Sequence, residues 1–191
     1  SKLWSKYGLY IILSMIIIVA SVIGYQLKVY LDKSNNEKLL ETYINALNNE
    51  SIEQQTAMFE SLTNSNNDYL SGMSAIKAAN LLIERGNIEE GIIELDKIIK
   101  NEKYDTIMRD LATYLLLMHN INSLSEDEFL NYISKQQIEE SKFRFLFREL
   151  ISIKKLLLGK NEDSIREFQL LINITDVPKE VKTRAMKFIQ I

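Results

Sequence analysis

The chain contains no cysteine, which excludes disulfides and thiol catalysis and fits any redox compartment. One proline and six glycines in 191 residues are too few for a sandwich or barrel, which need many tight turns. Leucine, isoleucine, lysine and glutamate fill the sequence instead, and they favour helices. The single histidine, His119, rules out His-rich metal sites and leaves little acid–base chemistry. There is no glycine-rich phosphate loop, no HExxH pattern and no nucleophile elbow. No catalytic residue, metal site or cofactor is therefore expected, and the chain reads as a non-enzyme. Charge is unevenly placed along the chain. Residues 1–33 carry a net +3 within a total of −3, so the remainder is −6. An acidic body of that kind suits neither nucleic acid nor broad docking on anionic lipid.

What is present begins with an apolar run. From Tyr7 to Leu27 no residue is charged. At about 1.5 Å per residue the run spans roughly 31 Å, the thickness of a hydrocarbon core. Trp4, Tyr7 and Tyr10 stand at one end and Tyr25 and Tyr30 at the other, where amphipathic rings favour headgroups. Lys6 and Lys28 bracket the run. The rival reading is a cleaved signal peptide, but "IVA" at 18–20 has bulky Ile18 and lies inside the apolar stretch. The expected organisation is a flank over 1–6, a transmembrane helix over 7–27, a linker over 28–36 and a helical domain over 37–191. Lysines on both sides leave the orientation open. The chain does not open on methionine, and upstream residues could carry the deciding charges.

The body reads as paired helices. Ser34-Asn35-Asn36-Glu37 has the form of a capping box, predicting a helix break there. Ser51-Ile52-Glu53-Gln54 and Ser125-Glu126-Asp127-Glu128 have the same form. Ala75, Ala78, Ala79 and Leu82 make a small-residue stripe that would let another helix approach closely. Gly86 is placed to end that helix and Asn87 to cap the next. Pro178 opens a last helix, whose apolar stripe is Val181, Ala185 and Phe188.

Two stretches repeat in register 73 residues apart: "GNIEEGIIELDKII" from Gly86 and "GKNEDSIREFQLLI" from Gly159. Gly86, Asn120 and Gly159 fall at equivalent turns, 34 and 39 residues apart. A helix–turn–helix unit near 34 residues is the tetratricopeptide period, and units that cannot bury an apolar face alone stack into a solenoid. Ala79, Gly91 and Leu95 then occupy the small, small and large positions of one unit, and Ser164 and Phe168 repeat them. The aromatic common near the start of such repeats is replaced by Ala75 and Arg148. The expected fold is all-α, an N-terminal transmembrane helix followed by a tetratricopeptide-like solenoid. An irregular helical bundle is the alternative.

"LWSKYGLYII" in the anchor, "AANLLIERGNIEEGIIELDKII", "MRDLATYLLL" and the ending "LLLGKNEDSIREFQLLI…VPKEVKTRAMKFI" resemble the YfgM-like family in its alphaproteobacterial form. These are membrane-anchored, tetratricopeptide-like ancillary subunits of the bacterial Sec translocon. The resemblance implies an inner-membrane, single-pass protein with a cytoplasmic N-terminus and periplasmic repeats. It also implies a translocon partner, a periplasmic chaperone or foldase, and unfolded secretory chains as possible clients. A scaffold for envelope assembly without a translocon role is the other reading.

Repeat counting places Asn80, Glu84, Asp110, Tyr114 and Glu149 on the groove lined by the first helix of each pair. Co-chaperones of this class clamp a peptide carboxylate with lysine and arginine there. Polar and acidic residues argue against such a clamp and would suit a basic or extended segment. His119 is expected as a partly exposed turn residue, and "FRFLFRELI" (143–151) as core.

Overall fold

The computed structural model describes residues 28–135 and 138–190, and every regular element among them is a helix. Helix α1 covers residues 28–47. Eight more follow: α2 (Ile52–Leu62), α3 (Asp68–Glu84), α4 (Ile88–Lys100), α5 (Thr106–His119), α6 (Glu126–Lys135), α7 (Arg144–Leu157), α8 (Asn161–Ile172) and α9 (Lys179–Ile189). They form four consecutive pairs and a terminal helix. Among the described residues no helix is long and apolar enough to cross a membrane. The predicted anchor, 7–27, lies outside them.

Each pair encloses one large side chain from its second helix. Phe59, Leu95, Phe129 and Phe168 are all at most 1% exposed. The first helices supply small partners in the same rhythm: Ala46, Ala79, Thr113 and Ser152, equally buried. Removing a Leu or Phe side chain from water contributes about 1.5–3 kcal/mol each, and small residues opposite let the helix backbones close around it. The sequence reading named Leu95 and Phe168; the structure extends the series to Phe59 and Phe129. "FRFLFRELI" is core as expected, with Phe145, Phe147 and Leu150 buried. Stacking runs along the array, since α3, α5, α7 and α9 neighbour one another in turn. Phe168 stacks on Phe188 of α9 at 4.9 Å with near-parallel rings, which seals the last pair.

The turns explain the repeated glycines. Gly86 sits at φ +90° and Gly159 at φ +75°, a left-handed conformation that costs glycine nothing. The amide of Asn87 donates to the carbonyl of Leu82, and that of Gly86 to Ile83, both at 2.9 Å. Lys160 and Gly159 repeat the pattern on Lys155 and Leu156 at 3.0 Å. This is the double hydrogen bond that closes a helix C-terminus.

Several expectations need correction. Residues 28–47 are one uninterrupted helix, so Ser34 breaks nothing; within a helix interior its amide already has a partner and the box has no orphan donors to satisfy. Asn87 precedes α4 but its side chain makes no capping bond; its backbone serves the preceding turn instead. Asn120 is not equivalent to the two glycines. Its φ is −110°, and no non-glycine residue among those described has positive φ. Six residues, 120–125, separate α5 from α6, where three suffice in the glycine turns. The box at Ser125 forms as expected: the Glu128 amide donates to Ser125 Oγ at 3.3 Å and the Ser125 amide to Glu128 Oε2 at 2.8 Å. At Ser51 only half forms, because the Ser51 amide turns to Asn49.

Candidate functional site

The first helices of the pairs stand side by side, and the five residues picked by repeat counting are carried on three of them. Asn80 and Glu84 lie one turn apart on α3, where Asn80 Nδ2 donates to Glu84 Oε1 at 2.7 Å. Glu84 is exposed and faces His119 at the end of α5; burial lowers the His119 pKa, and the carboxylate opposes that shift. Asp110 and Tyr114 lie one turn apart on α5. Asp110 is buried, which raises its pKa, while the Ser141 hydroxyl and Arg109 pull it back.

Tyr114 packs edge-on against Phe147 at 6.0 Å. Its phenol is raised by burial and by the nearby charge of Glu149, with Arg184 opposing. Glu149 itself is only 4% exposed and is already bound. Arg184 of α9 grips it as a two-pronged fork, Nε to Oε1 at 2.8 Å and a terminal nitrogen to Oε2 at 2.7 Å. A planar guanidinium matches a carboxylate in this way better than a lysine can. That bond is also the main reason Arg184 holds its proton more tightly than usual.

The structure therefore gathers the candidates into three sets: Asn80 and Glu84 with His119, Asp110 with Ser141, and Tyr114 and Glu149 with Arg184. No hydrogen bond or ion pair among the described residues joins the sets. Glu84 is the one acid of the three that is open to solvent. Two groups were missed by sequence reasoning. Arg184 lies 35 residues beyond Glu149, one repeat length on, so counting into the last helix would have reached it. Lys154, 5% exposed, donates to the carbonyls of Ile121 at 2.8 Å and Leu124 at 2.6 Å, tying α7 to the long turn after α5. Nothing in "IKKLLL" distinguishes it from Lys155, its half-buried neighbour. Beside the Arg184 fork, a hollow of about 280 Å³ opens between α7 and α9 over Phe143, Leu146 and Val181.

A family model described as a tetratricopeptide repeat-like domain matches residues 1–152. The chain belongs to that family. Domains of this tetratricopeptide repeat-like kind generally mediate binding of protein partners. The match ends inside α7, yet α8 continues the pattern with Ser164 and Phe168 in the expected positions. Comparison with curated proteins and with solved structures found no match.

Proposed function

We propose that this is a membrane-anchored, non-enzymatic protein-interaction module that assists protein export beside the Sec translocon. In this reading it hands secreted chains to a periplasmic chaperone. The observation that carries it is the order of parts: an uncharged run over 7–27 leads directly into a stack of helix pairs, and the family match takes in both. The resemblance of the anchor and first repeats to the YfgM-like family supplies the translocon, the inner membrane and the periplasmic orientation.

The structure narrows what a partner could contact. Glu149 and Asp110 are occupied within the fold, so a basic segment would meet Glu84 and Asn80 first. Anchoring in the partner's own membrane raises effective concentration, so each contact can be individually weak. Cross-linking the native protein in its own membrane is the test. Translocon subunits and unfolded secretory chains among the products are the expected result. A fixed set of envelope-complex subunits would replace this reading with a scaffold. Protection of the repeats from protease in right-side-out spheroplasts would remove the export role.

A further inference from the structure

The array ends differently on its two sides. At the C-terminal end α9 turns Lys182, Thr183 and Lys187 to solvent, the polar cap that a helical stack needs for solubility. At the N-terminal end α1 buries Ala46 and packs Tyr43 on Phe59, ring to ring at 5.4 Å. Among the described residues, nothing covers a second stripe of the same helix. Leu40, Ile44 and Leu47 are 48%, 46% and 45% exposed, and Ile52 extends the patch onto α2 at 44%. Spacings of four and three place the three α1 residues on one seam, with a β-branched residue between two leucines. In the heptad notation Ile44 takes an a position and the leucines d positions, the combination that favours two parallel strands.

We propose that a second copy of this chain covers the stripe, in a parallel, in-register pairing of the two α1 helices. Residues 7–27 lie just before the described part of α1, and the inference rests on their anchoring role. Two copies held in one membrane by that segment present their α1 helices in the same direction and at the same height. At about 1.5 Å per residue, Leu40 to Leu47 lies some 20–30 Å beyond Leu27, clear of the lipid. The occupant must then be proteinaceous, and a copy of the same helix is the partner whose stripe meets this one layer for layer.

Because the chain has no cysteine, single introduced cysteines report the geometry directly. Full-length Leu40→Cys, Ile44→Cys, Leu47→Cys, Lys38→Cys and Asn45→Cys variants would be oxidised in intact cells, and the disulfide-linked dimer measured for each. A disulfide needs Cα atoms within about 7 Å, so Leu40→Cys and Leu47→Cys should give roughly tenfold more dimer than Lys38→Cys and Asn45→Cys. Adding Ile44→Glu to Leu40→Cys should abolish the dimer. A dimer from Ile44→Cys alone would mean antiparallel pairing, and equal yields at all five positions would mean random collision; either overturns the proposal. So would the absence of dimer at every position. Carbonate extraction of the same cells reads the anchor separately. Extraction of the chain with the seam pattern intact would sink the anchor and keep the dimer, whereas a retained chain without dimer would do the reverse.

Discussion

The pairs α3–α4 and α7–α8 solve one geometric problem with different chemistry. Both reverse on a left-handed glycine closed by the same two backbone bonds, and both bury a knob completely, Leu95 in one and Phe168 in the other. They part where the second helix crosses the first. At Gly91 a Cβ would overlap Ile83 Cγ1 and lie 2.7 Å from the carbonyl oxygen of Ala79. The matching Ser164, 73 residues on, donates its hydroxyl to the carbonyl of Ser152 at 2.8 Å. One crossing is closed by having no side chain, the other by a side chain that bonds to the backbone it meets. Residue identity at such a position is therefore free to change, provided the space and the polar group are both accounted for.

The knobs should show the largest effects. Phe168→Ala is expected to cost about 3–5 kcal/mol and Leu95→Ala about 2–5 kcal/mol, by lost transfer energy plus the cavity left behind. Urea unfolding monitored by circular dichroism would measure both. Neighbouring units stabilise each other in a stacked array, so each variant should loosen its own end first. A Leu95→Ala variant no weaker than Glu94→Ala would mean that the two pairs are not structurally equivalent.

The crossing itself comes next, and its two halves should be asymmetric. Gly91→Ala brings a methyl against backbone and should cost about 1–3 kcal/mol by overpacking. The intrinsic helix gain of alanine over glycine, about 1 kcal/mol, offsets only part of that. Ser164→Ala removes one hydrogen bond from an otherwise well-packed site and should cost about 0.5–1.5 kcal/mol. Equal losses at the two positions would show that the crossings are not chemically distinct.

The pair that lies between them, α5–α6, has neither device. Without a glycine the chain cannot take the short left-handed turn, so it runs through six residues held from outside by Lys154. Lys154→Ala should leave the carbonyls of Ile121 and Leu124 without their donor, at about 1–3 kcal/mol. Gly86→Ala and Gly159→Ala should each cost about 1–2 kcal/mol, the penalty of a left-handed L-residue. Asn120→Gly should bring no gain, because φ there is already negative. Stabilisation by Asn120→Gly would mean that the long turn is a strained version of the short one.

Much of this was legible in the residues. Period, glycine turns and the Leu95/Phe168 knobs follow from local pattern, because helix spacing and left-handed turns are governed by nearby chain. Phe59 and Phe129 were harder, since the flanking glycine that marks the register is absent from their pairs. What stayed hidden is long-range pairing. On a helix, lysine and arginine read alike whether they face water or reach a buried acceptor, so neither Lys154 nor Arg184 announced its partner. The groove suffered for that reason. Repeat counting placed Glu149 on the first helix of its pair, but its charge is matched by Arg184 on α9, the helix that follows that pair.

The smallest expected effect is a pH dependence confined to α5–α6. His119 closes α5 beside the long turn, whereas the two glycine turns have no ionisable ring. Burial lowers its pKa, Glu84 opposes the shift, and its enclosed Nε2 has no hydrogen-bond partner. With the folded value below the unfolded one near 6.5, the unfolded chain binds the proton more readily between the two. The contribution to stability is thus present above the unfolded value and is lost as pH falls through the folded one. Hydrogen exchange, corrected for intrinsic rates, should quicken around residues 116–124 between about pH 7.5 and about pH 5.5, with little change at either glycine turn. His119→Gln should remove the difference by leaving nothing to protonate. A uniform response across all three turns would assign the acid sensitivity to the array as a whole and remove the distinction drawn for α5–α6.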